Sequence, residues 1–529
     1  MAIYHGEGMK DFGRQAGILL PLVSLPSHGG IGTLGKGAED FILFLETAGQ
    51  SLWQILPAGP VADTGSPYQG LSAFAGNPYL IDLRPLHEDG LITKSELQKY
   101  EKGSLEMNRV DYLYQRDEKL PLLLAAASRF DGGSARGFRK FLKESAYWLD
   151  GYADHEAARE AIPISDEIKI IQYFFFSQWD RLRKFARRHS VDFIGDLPLY
   201  VSVESADYHF NRKIFATDPT GRPSLIAGVP PDAYSATGQI WNVPVYDWEG
   251  AGEDALNWWE ARLMQAARMY GAARIDHFRG LWDFWSVPAD EANARIQHRE
   301  AERSEHRGTK SSEQGSEHKR TEHSEHEYGA KDDVVDEDAR GGGKWRRGPG
   351  DAFVEMAHAS VPGLMIVAED LGLLSEGAKR FRRRSGFPGM KVLQFAFDGD
   401  PTNEYLPRSS EEAAVMYTGT HDNDTLRGWL GRAGIGEIDF AKSYLNARSK
   451  ESLPEAMIAA ALESPCFCTM IPLQDWLGLG SYARINTPGT VSRMNWSWRL
   501  EARQINGSGA DALTEKIRLQ TAAANRLRS

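Results

Sequence analysis

Eight short apolar runs, separated by long helical or irregular stretches, constrain the fold of this chain more than any other feature of its sequence. Each run has the length of a buried β-strand, and such runs alternating with helical periodicity are typical of a parallel α/β sheet. Eight strands are the number that closes a (β/α)8 barrel. The predicted strands cover residues 17–23, 52–56, 192–197, 272–275, 364–368, 391–395, 414–418 and 467–472.

Acidic residues stand at or just beyond the ends of five of these runs. In a parallel barrel the carboxyl ends of the strands meet at one face, and active sites are built there. The sequence therefore predicts a cluster of carboxylates at that face. The acidic residues are Asp196, Asp276, Glu369, Asp422 and Asp475.

The chain has 529 residues, which suits one barrel with long insertions, so we predict a single catalytic unit over 1–529. The connection 76–191 carries helical periodicity and predicts a mainly helical inserted subdomain. The segment 204–248 is rich in Gly, Pro, Ser and aromatic residues, so it predicts a loop excursion over the mouth of the barrel.

A low-complexity segment over 297–343 differs from the rest of the chain, since it repeats Ser/Thr-Glu-His four times and is rich in Glu and His. It lacks the apolar residues needed to form a core, and we predict that it is disordered. Metal binding by its histidines is the alternative, but a solvated insert is favoured.

The net charge of −12 repels phosphate backbones and argues against a nucleic-acid partner. The N-terminus has no apolar signal region, and no run of about 18 apolar residues occurs, so neither secretion nor a membrane span is expected. The two cysteines cannot form a disulfide framework and favour a reducing, cytoplasmic location. GxGxxG at 30–35 lacks the context of a nucleotide site, and no cofactor is predicted.

Asp276 and Glu369 follow neighbouring predicted strands, and two such carboxylates can cleave a glycosidic bond with retention when they lie about 5–5.5 Å apart. The apolar run before Glu369 raises a carboxyl pKa, as a general acid requires. Arg274 shares a strand face with Asp276 and would hold it ionised, although a structural ion pair is the alternative. Asp370 is predicted to face the other way and to cap the next helix.

His421 and Asp422 lie beyond the seventh run, in the sequence HDND. An imidazole and a carboxylate there can grip sugar hydroxyls and favour a distorted ring. An Asx-rich turn without a catalytic role explains the same letters equally well.

Ordered motif blocks extend the pattern from about Gly17 to Arg499, interrupted by the low-complexity insert. In this order they resemble the 4-α-glucanotransferases called amylomaltases or disproportionating enzymes, within the α-amylase clan. The blocks include LPS at 25–27, WQILP at 53–57, SPYQ at 66–69, GDLP at 195–198, RIDHFRG at 274–280, AEDLG at 368–372, GTHDN at 419–423 and NTPGT at 486–490.

The resemblance implies Asp276 as the nucleophile, Glu369 as the general acid/base and Asp422 as the transition-state stabiliser. It implies transfer of α-1,4-glucan segments between maltooligosaccharides, with glucose as an acceptor, through a covalent glucosyl-aspartate, in starch or glycogen metabolism and without a metal. It leaves the oligomeric state open. The implied glucan-binding residues are Tyr68, Asp196, Tyr234, Gln239, Trp241, Arg274, His277, His421 and Asn486.

Two residues depart from the family pattern near the predicted site. Ala233 precedes Tyr234 where the family often has a second aromatic residue, and Asn242 follows Trp241 where it tends to have Gly. A plain α-glucan hydrolase and a catalytically inactive glucan-binding protein are the alternative functions. The intact acidic trio disfavours the second, and product analysis with and without glucose distinguishes all three.

Overall fold

The computed structural model describes residues 14–104, 107–133, 135–160, 163–230, 238–292, 342–372 and 374–527. Tyr234 and the predicted low-complexity insert, up to residue 341, lie outside these ranges. The strands of the described part are β1 (Gln15–Leu19), β2 (Leu52–Gln54), β3 (Asp192–Leu197), β4 (Leu225–Val229), β5 (Gln239–Pro244), β6 (Ala272–Ile275), β7 (Asp283–Pro288), β8 (Lys344–Arg347), β9 (Met365–Ala368), β10 (Gly389–Val392), β11 (Ala414–Tyr417) and β12 (Cys468–Pro472).

The α-helices of the same ranges lie mainly in the connections between these strands, and none is long and apolar enough to cross a membrane. They are Lys36–Thr47, Leu83–Glu88, Lys94–Gly103, Tyr112–Tyr114, Leu120–Ser128, Arg136–Arg159, Ser165–Arg188, Ala206–Phe210, Gly252–Met269, Asp351–Ser360, Glu376–Ser385, Leu426–Arg432, Ile435–Leu445, Leu453–Glu463, Leu473–Trp476 and Ser508–Ala523.

Eight parallel strands form the central sheet, in the order β10, β11, β12, β1, β2, β3, β6 and β9. The backbone N–H of Ala368 on β9 donates to the carbonyl of Pro388, just before β10, at 2.8 Å. This bond joins the two edges of the sheet. The predicted (β/α)8 barrel is therefore confirmed, with its strands arranged around the ring in chain order.

Side chains alternate along each barrel strand between an inner and an outer hydrophobic cluster, as the period of two of a β-strand requires. Ala272 on β6 packs in the inner cluster, and Ala273 and Ile275 pack in the outer one. Arg274 and Asp276 therefore continue the inward series. On β9, Val367 packs inward and Ala368 outward, which directs Glu369 into the mouth.

The connection between β2 and β3 contains the two longest described helices, Arg136–Arg159 and Ser165–Arg188. The second helix buries a large apolar face, because its aromatic and aliphatic residues recur at helical spacing. Its Trp179 ring lies 5.0 Å from the ring of Phe193 on β3. This contact packs the helical segment against the outside of the barrel.

A second, antiparallel sheet joins strands in the order β5, β4, β7 and β8. Two of them fall within 204–248, so describing that segment only as a loop was incomplete. β4 pairs with β5 through a β-bulge between Ile226 and Gly228, and its other partner, β7, lies outside that segment. The sixth barrel strand is also shifted, to Gly389–Val392, since Leu393–Phe395 forms a 3-10 turn.

Candidate active site

Arg274 lies at the centre of the barrel mouth and binds two carboxylates at once. Its Nη1 donates to Oδ1 and Oδ2 of Asp196 at 2.9 and 2.7 Å, and its Nη2 donates to Oδ1 of Asp276 at 2.6 Å. Burial alone would lower the pKa of the guanidinium, but Asp196 and Asp276 raise it well above its ordinary value. Arg274 thus forms a buried structural ion pair with Asp196 and also pairs with Asp276.

Asp196 and Asp276 differ in exposure although they share this guanidinium. The side chain of Asp196 has no exposed surface, whereas 32% of the side chain of Asp276 remains exposed. Tyr68 donates its hydroxyl to Oδ2 of Asp196 at 2.7 Å. Asp276 is therefore the carboxylate of this pair that faces the cleft.

Glu369 is held at the end of β9 by two backbone donors. His277 N–H donates to Oε2 at 2.7 Å, and Leu371 N–H donates to Oε1 at 2.9 Å. Burial, followed by the negative charge of Asp276, raises the pKa of Glu369 to about 7. A substantial fraction of the carboxyl is therefore protonated at neutral pH, as a general acid requires.

His277 reaches Glu369 through an unusual backbone conformation, with φ 52° and ψ 46° in the left-handed region. A non-glycine residue there costs about 1–3 kcal/mol, and such strain clusters at functional sites. Its ring meets Trp241 edge to face at 4.8 Å, and its buried Nε2 has no hydrogen-bond partner among the described residues. Burial lowers the pKa of His277 to about 4, so the ring is neutral and free to bind a hydroxyl.

Asp422 and His421 lie in the loop after β11. Nδ2 of Asn486 donates to Oδ1 of Asp422 at 2.6 Å, and Nε2 of His421 lies 3.4 Å from the same oxygen. The ring of His421 stacks on Tyr68 with centroids 4.9 Å apart. Within this loop, Asn423 Oδ1 accepts from Thr420 N–H at 2.8 Å, and this bond shapes the segment that carries these side chains.

Gln239 and Trp241 lie on β5, at the side of the mouth covered by the second sheet. Trp241 Nε1 donates to Oε1 of Gln239 at 3.2 Å, and both residues are half-buried. The Trp241 ring also approaches Tyr200. Of the residues predicted to form the site, all but Tyr234 are described. The contacts above join one group of them, which consists of Asp196, Arg274, Asp276, His277, Glu369 and Trp241. A second group consists of Tyr68, His421, Asp422 and Asn486, and the bond from Tyr68 to Asp196 connects it to the first.

Two acidic residues near the strand ends are not where the sequence suggested. Asp370 does not cap the next helix, whose N-cap is Ser375; instead it accepts from Met390 N–H at 2.7 Å and pairs with Arg382. Asp475 is almost fully buried in the helix Leu473–Trp476 rather than facing the cleft. The residues that bind Asp370 and Asp475 lie elsewhere in the chain, so no local sequence pattern indicates these contacts.

A cavity of about 620 Å³ lies elsewhere in the described residues, and none of Asp276, Glu369 and Asp422 lines it. No group of three or more His, Cys, Asp or Glu side chains in the described ranges is placed to hold a metal ion. Asp276 and Glu369 follow the adjacent strands β6 and β9. Such a pair supports acid-assisted displacement at a glycosidic carbon.

Proteins of one family are similar to this chain along most of its length. The family model described as 4-alpha-glucanotransferase matches residues 20–165 and 164–504, which include every predicted site residue. The 4-alpha-glucanotransferase of Streptococcus pneumoniae is 34% identical over 95% of this chain and 96% of its own length. The chloroplastic/amyloplastic 4-alpha-glucanotransferase of Arabidopsis thaliana is 36% identical over 92% of this chain and 81% of its own length.

Among solved structures, the amylomaltase of Streptococcus agalactiae in complex with acarbose superposes with a TM-score of 0.83. It is 28% identical and covers 97% of this chain and 100% of that chain. The amylomaltase of Corynebacterium glutamicum, at 18% identity and a TM-score of 0.75, shares the fold.

Proposed function

The chain belongs to the 4-α-glucanotransferase family, and we propose that it moves α-1,4-glucan segments between maltooligosaccharides by a retaining double displacement. The observation that carries the mechanism is the pairing of Asp276, bound by Arg274 at 2.6 Å, with Glu369, whose pKa is raised to about 7. A retaining mechanism needs one ionised and one protonated carboxyl group.

In the first half-reaction, an oxygen of Asp276 attacks the anomeric carbon, and the bond from that carbon to the glycosidic oxygen breaks. Glu369 gives its proton to the departing oxygen. In the second half-reaction, the 4-hydroxyl of an acceptor attacks the same carbon, the ester to Asp276 breaks, and Glu369 takes the hydroxyl proton. Atoms and charge balance, and both carboxyl groups return to their starting states.

Other side chains orient the sugar next to the scissile bond. We assign Asp422 to hydroxyl groups of that sugar, where its hydrogen bonds strengthen as the ring distorts. The partner-free Nε2 of His277 and the ring of His421 suit neighbouring hydroxyls. Asp196 has no exposed surface, so we assign it to holding Arg274 and not to direct contact with sugar.

The rest of the predicted groove extends from this centre. Trp241 offers an aromatic face for a glucose ring, with Gln239 beside it, while Asn486 contacts Asp422 and Tyr68 stacks on His421. Tyr234 remains a predicted contact. Since the related structure is an acarbose complex, we infer that acarbose and α-glucans occupy this cleft here. We also infer a cytoplasmic location, which the two buried, unpaired cysteines support.

Activity should fall as the pH rises through about 7, because Glu369 must be protonated in the free enzyme and its pKa is about 7. The measurement is kcat/KM for maltotriose between pH 5 and pH 9. Below pH 7 Glu369 is mostly protonated, so deprotonation of this group no longer limits the rate. A profile that stays flat from pH 6 to pH 9 would contradict the assignment of Glu369 as the acid.

Given maltotriose alone, the enzyme should release glucose and form a ladder of longer maltooligosaccharides. Water is small and abundant, so a sugar acceptor wins only because the cleft binds and orients it, an advantage worth up to roughly 7–11 kcal/mol. Chromatography of the products, together with a reducing-end assay, tests this. Added glucose should shorten the ladder without raising the number of reducing ends beyond those added.

The hydrolase alternative makes the opposite prediction. Reducing ends would rise steadily, and no product would be longer than the substrate. The inactive binding protein would give neither result.

A further inference from the structure

One buried carboxylate closes the loop that carries Asp422. Thr418, at the start of this loop, donates its hydroxyl to Oδ2 of Asp475 at 2.7 Å. Leu426, where the loop ends and the helix Leu426–Arg432 begins, donates its N–H to Oδ1 of the same carboxylate at 2.8 Å. Both ends of residues 418–426 are thus held by a single side chain on another element.

Asp475 is 4% exposed and makes no salt bridge within the described residues, so the ends of this loop supply its hydrogen bonds. An unpaired buried carboxylate is costly unless donors surround it, and a helix N-terminus is favourable for a negative charge. Burial of the Asp475 carboxylate is therefore stable only while Thr418 and Leu426 both donate to it. The geometry of 418–426 and the burial of Asp475 therefore depend on each other.

We propose that Asp475 is a positioning residue for the transfer reaction: by clamping residues 418–426, it sets the distance of Asp422 from the sugar. It does not touch substrate. The proposal rests on the role assigned to Asp422 above. A catalytic side chain displaced by about 1 Å can lose on the order of 10²-fold in rate, so a clamp of this kind has a kinetic consequence.

Other bonds fix the interior of the loop but not its two ends together. Gln394 Nε2 donates to the carbonyl of Asp424 at 2.8 Å, and Ser481 Oγ donates to its carboxylate at 2.8 Å. Without Asp475, these contacts would still keep the loop folded against the barrel. The expected defect is therefore misplacement of Asp422 rather than unfolding.

The test compares Asp475→Ala, Asp475→Asn and Thr418→Val for the disproportionation of maltotriose. Asp475→Ala should lower kcat by roughly 10–100-fold with a change in KM of less than about 3-fold, because an interaction of the transition state is lost. Asp475→Asn should stay within about 5-fold of the wild type, since its amide can accept from Leu426 N–H and donate to Thr418. Thr418→Val, which removes one of the two bonds, should lie between them.

A double-mutant cycle identifies the route of the effect. If Asp475 acts through Asp422, adding Asp475→Ala to Asp422→Ala should lower the rate by less than about 2-fold further. Glu156→Ala serves as a control, because Glu156 is a buried carboxylate paired with Arg159 in the helical segment between β2 and β3. It should lower the melting temperature and leave kcat unchanged.

Full additivity in the cycle would overturn the proposal, as would a kcat for Asp475→Ala and Thr418→Val equal to that of the wild type. If Asp475→Ala fails to fold, Thr418→Val alone and in the Asp422→Ala background gives the same decision. A near-native rate for the single variant Asp422→Ala would instead refute the role of Asp422. This single-variant result separates failure of the proposed function from failure of the role of Asp475.

Discussion

Replacing Asp276 by Asn will lower kcat/KM for maltotriose by at least about 10⁴-fold, the scale on which loss of a catalytic nucleophile acts. An amide cannot form or release the glycosyl ester. The fold should persist, because Arg274 keeps both of its bonds to buried Asp196 when Asp276 loses its charge. Glucose release and thermal melting followed by circular dichroism give the two measurements.

Asp283→Asn is the matched control for this variant. Asp283 also pairs with an arginine, since Arg279 Nε donates to its Oδ1 at 2.7 Å, and it lies on β7 outside the carboxylate cluster. It should retain most of the activity. Turnover of the Asp276→Asn enzyme within 10-fold of the wild type would remove Asp276 from the role of nucleophile.

Replacing Glu369 by Gln will lower kcat for maltotriose by roughly 10²–10⁴-fold, the range of general acid–base catalysis. The loss should depend on the donor. A maltosyl fluoride needs no proton on its leaving group, so its first half-reaction should be spared while the second is slow, because no base accepts the acceptor proton. Rapid measurement of fluoride release should therefore show a burst followed by slow turnover.

The pH profile provides a second test of the same variant. The fall in activity above about pH 7 should disappear, since glutamine does not titrate in place of the group whose pKa is about 7. Equal losses for maltotriose and the fluoride in the first half-reaction would argue against Glu369 as the acid.

The barrel and the position of most site residues could be predicted because both depend on local patterns. Alternation along a strand fixes which side chains point inward, so Arg274, Asp276 and Glu369 were placed by counting residues. Strand boundaries were less accurate where a 3-10 turn continues an apolar run, as at Leu393–Phe395.

Features that depend on contacts between distant segments could not be predicted. Nothing near Asp196 in the chain indicates that its side chain is fully buried and paired with Arg274, and nothing near Asp475 indicates that its donors come from Thr418 and Leu426. The left-handed conformation of His277 could not be predicted either, because it is uncommon for any residue other than glycine and no neighbouring residue indicates it. These contacts determine the pKa values of the site residues and the positions of their side chains, and they do not determine the fold.

The negative charge of Asp276 is one of the causes that keep the proton on Glu369. In the mechanism we propose, Asp276 becomes an ester in the first half-reaction, so that charge is gone and the pKa of Glu369 falls while the donor segment departs. The residue that has just released a proton then remains ionised and is ready to receive one from the incoming sugar. The bond between Asp276 and the sugar would therefore set the role of Glu369 in each half-reaction. Forming this bond lowers the pKa of Glu369 and makes it a base, and breaking the bond raises the pKa again and restores the acid, without movement of the backbone.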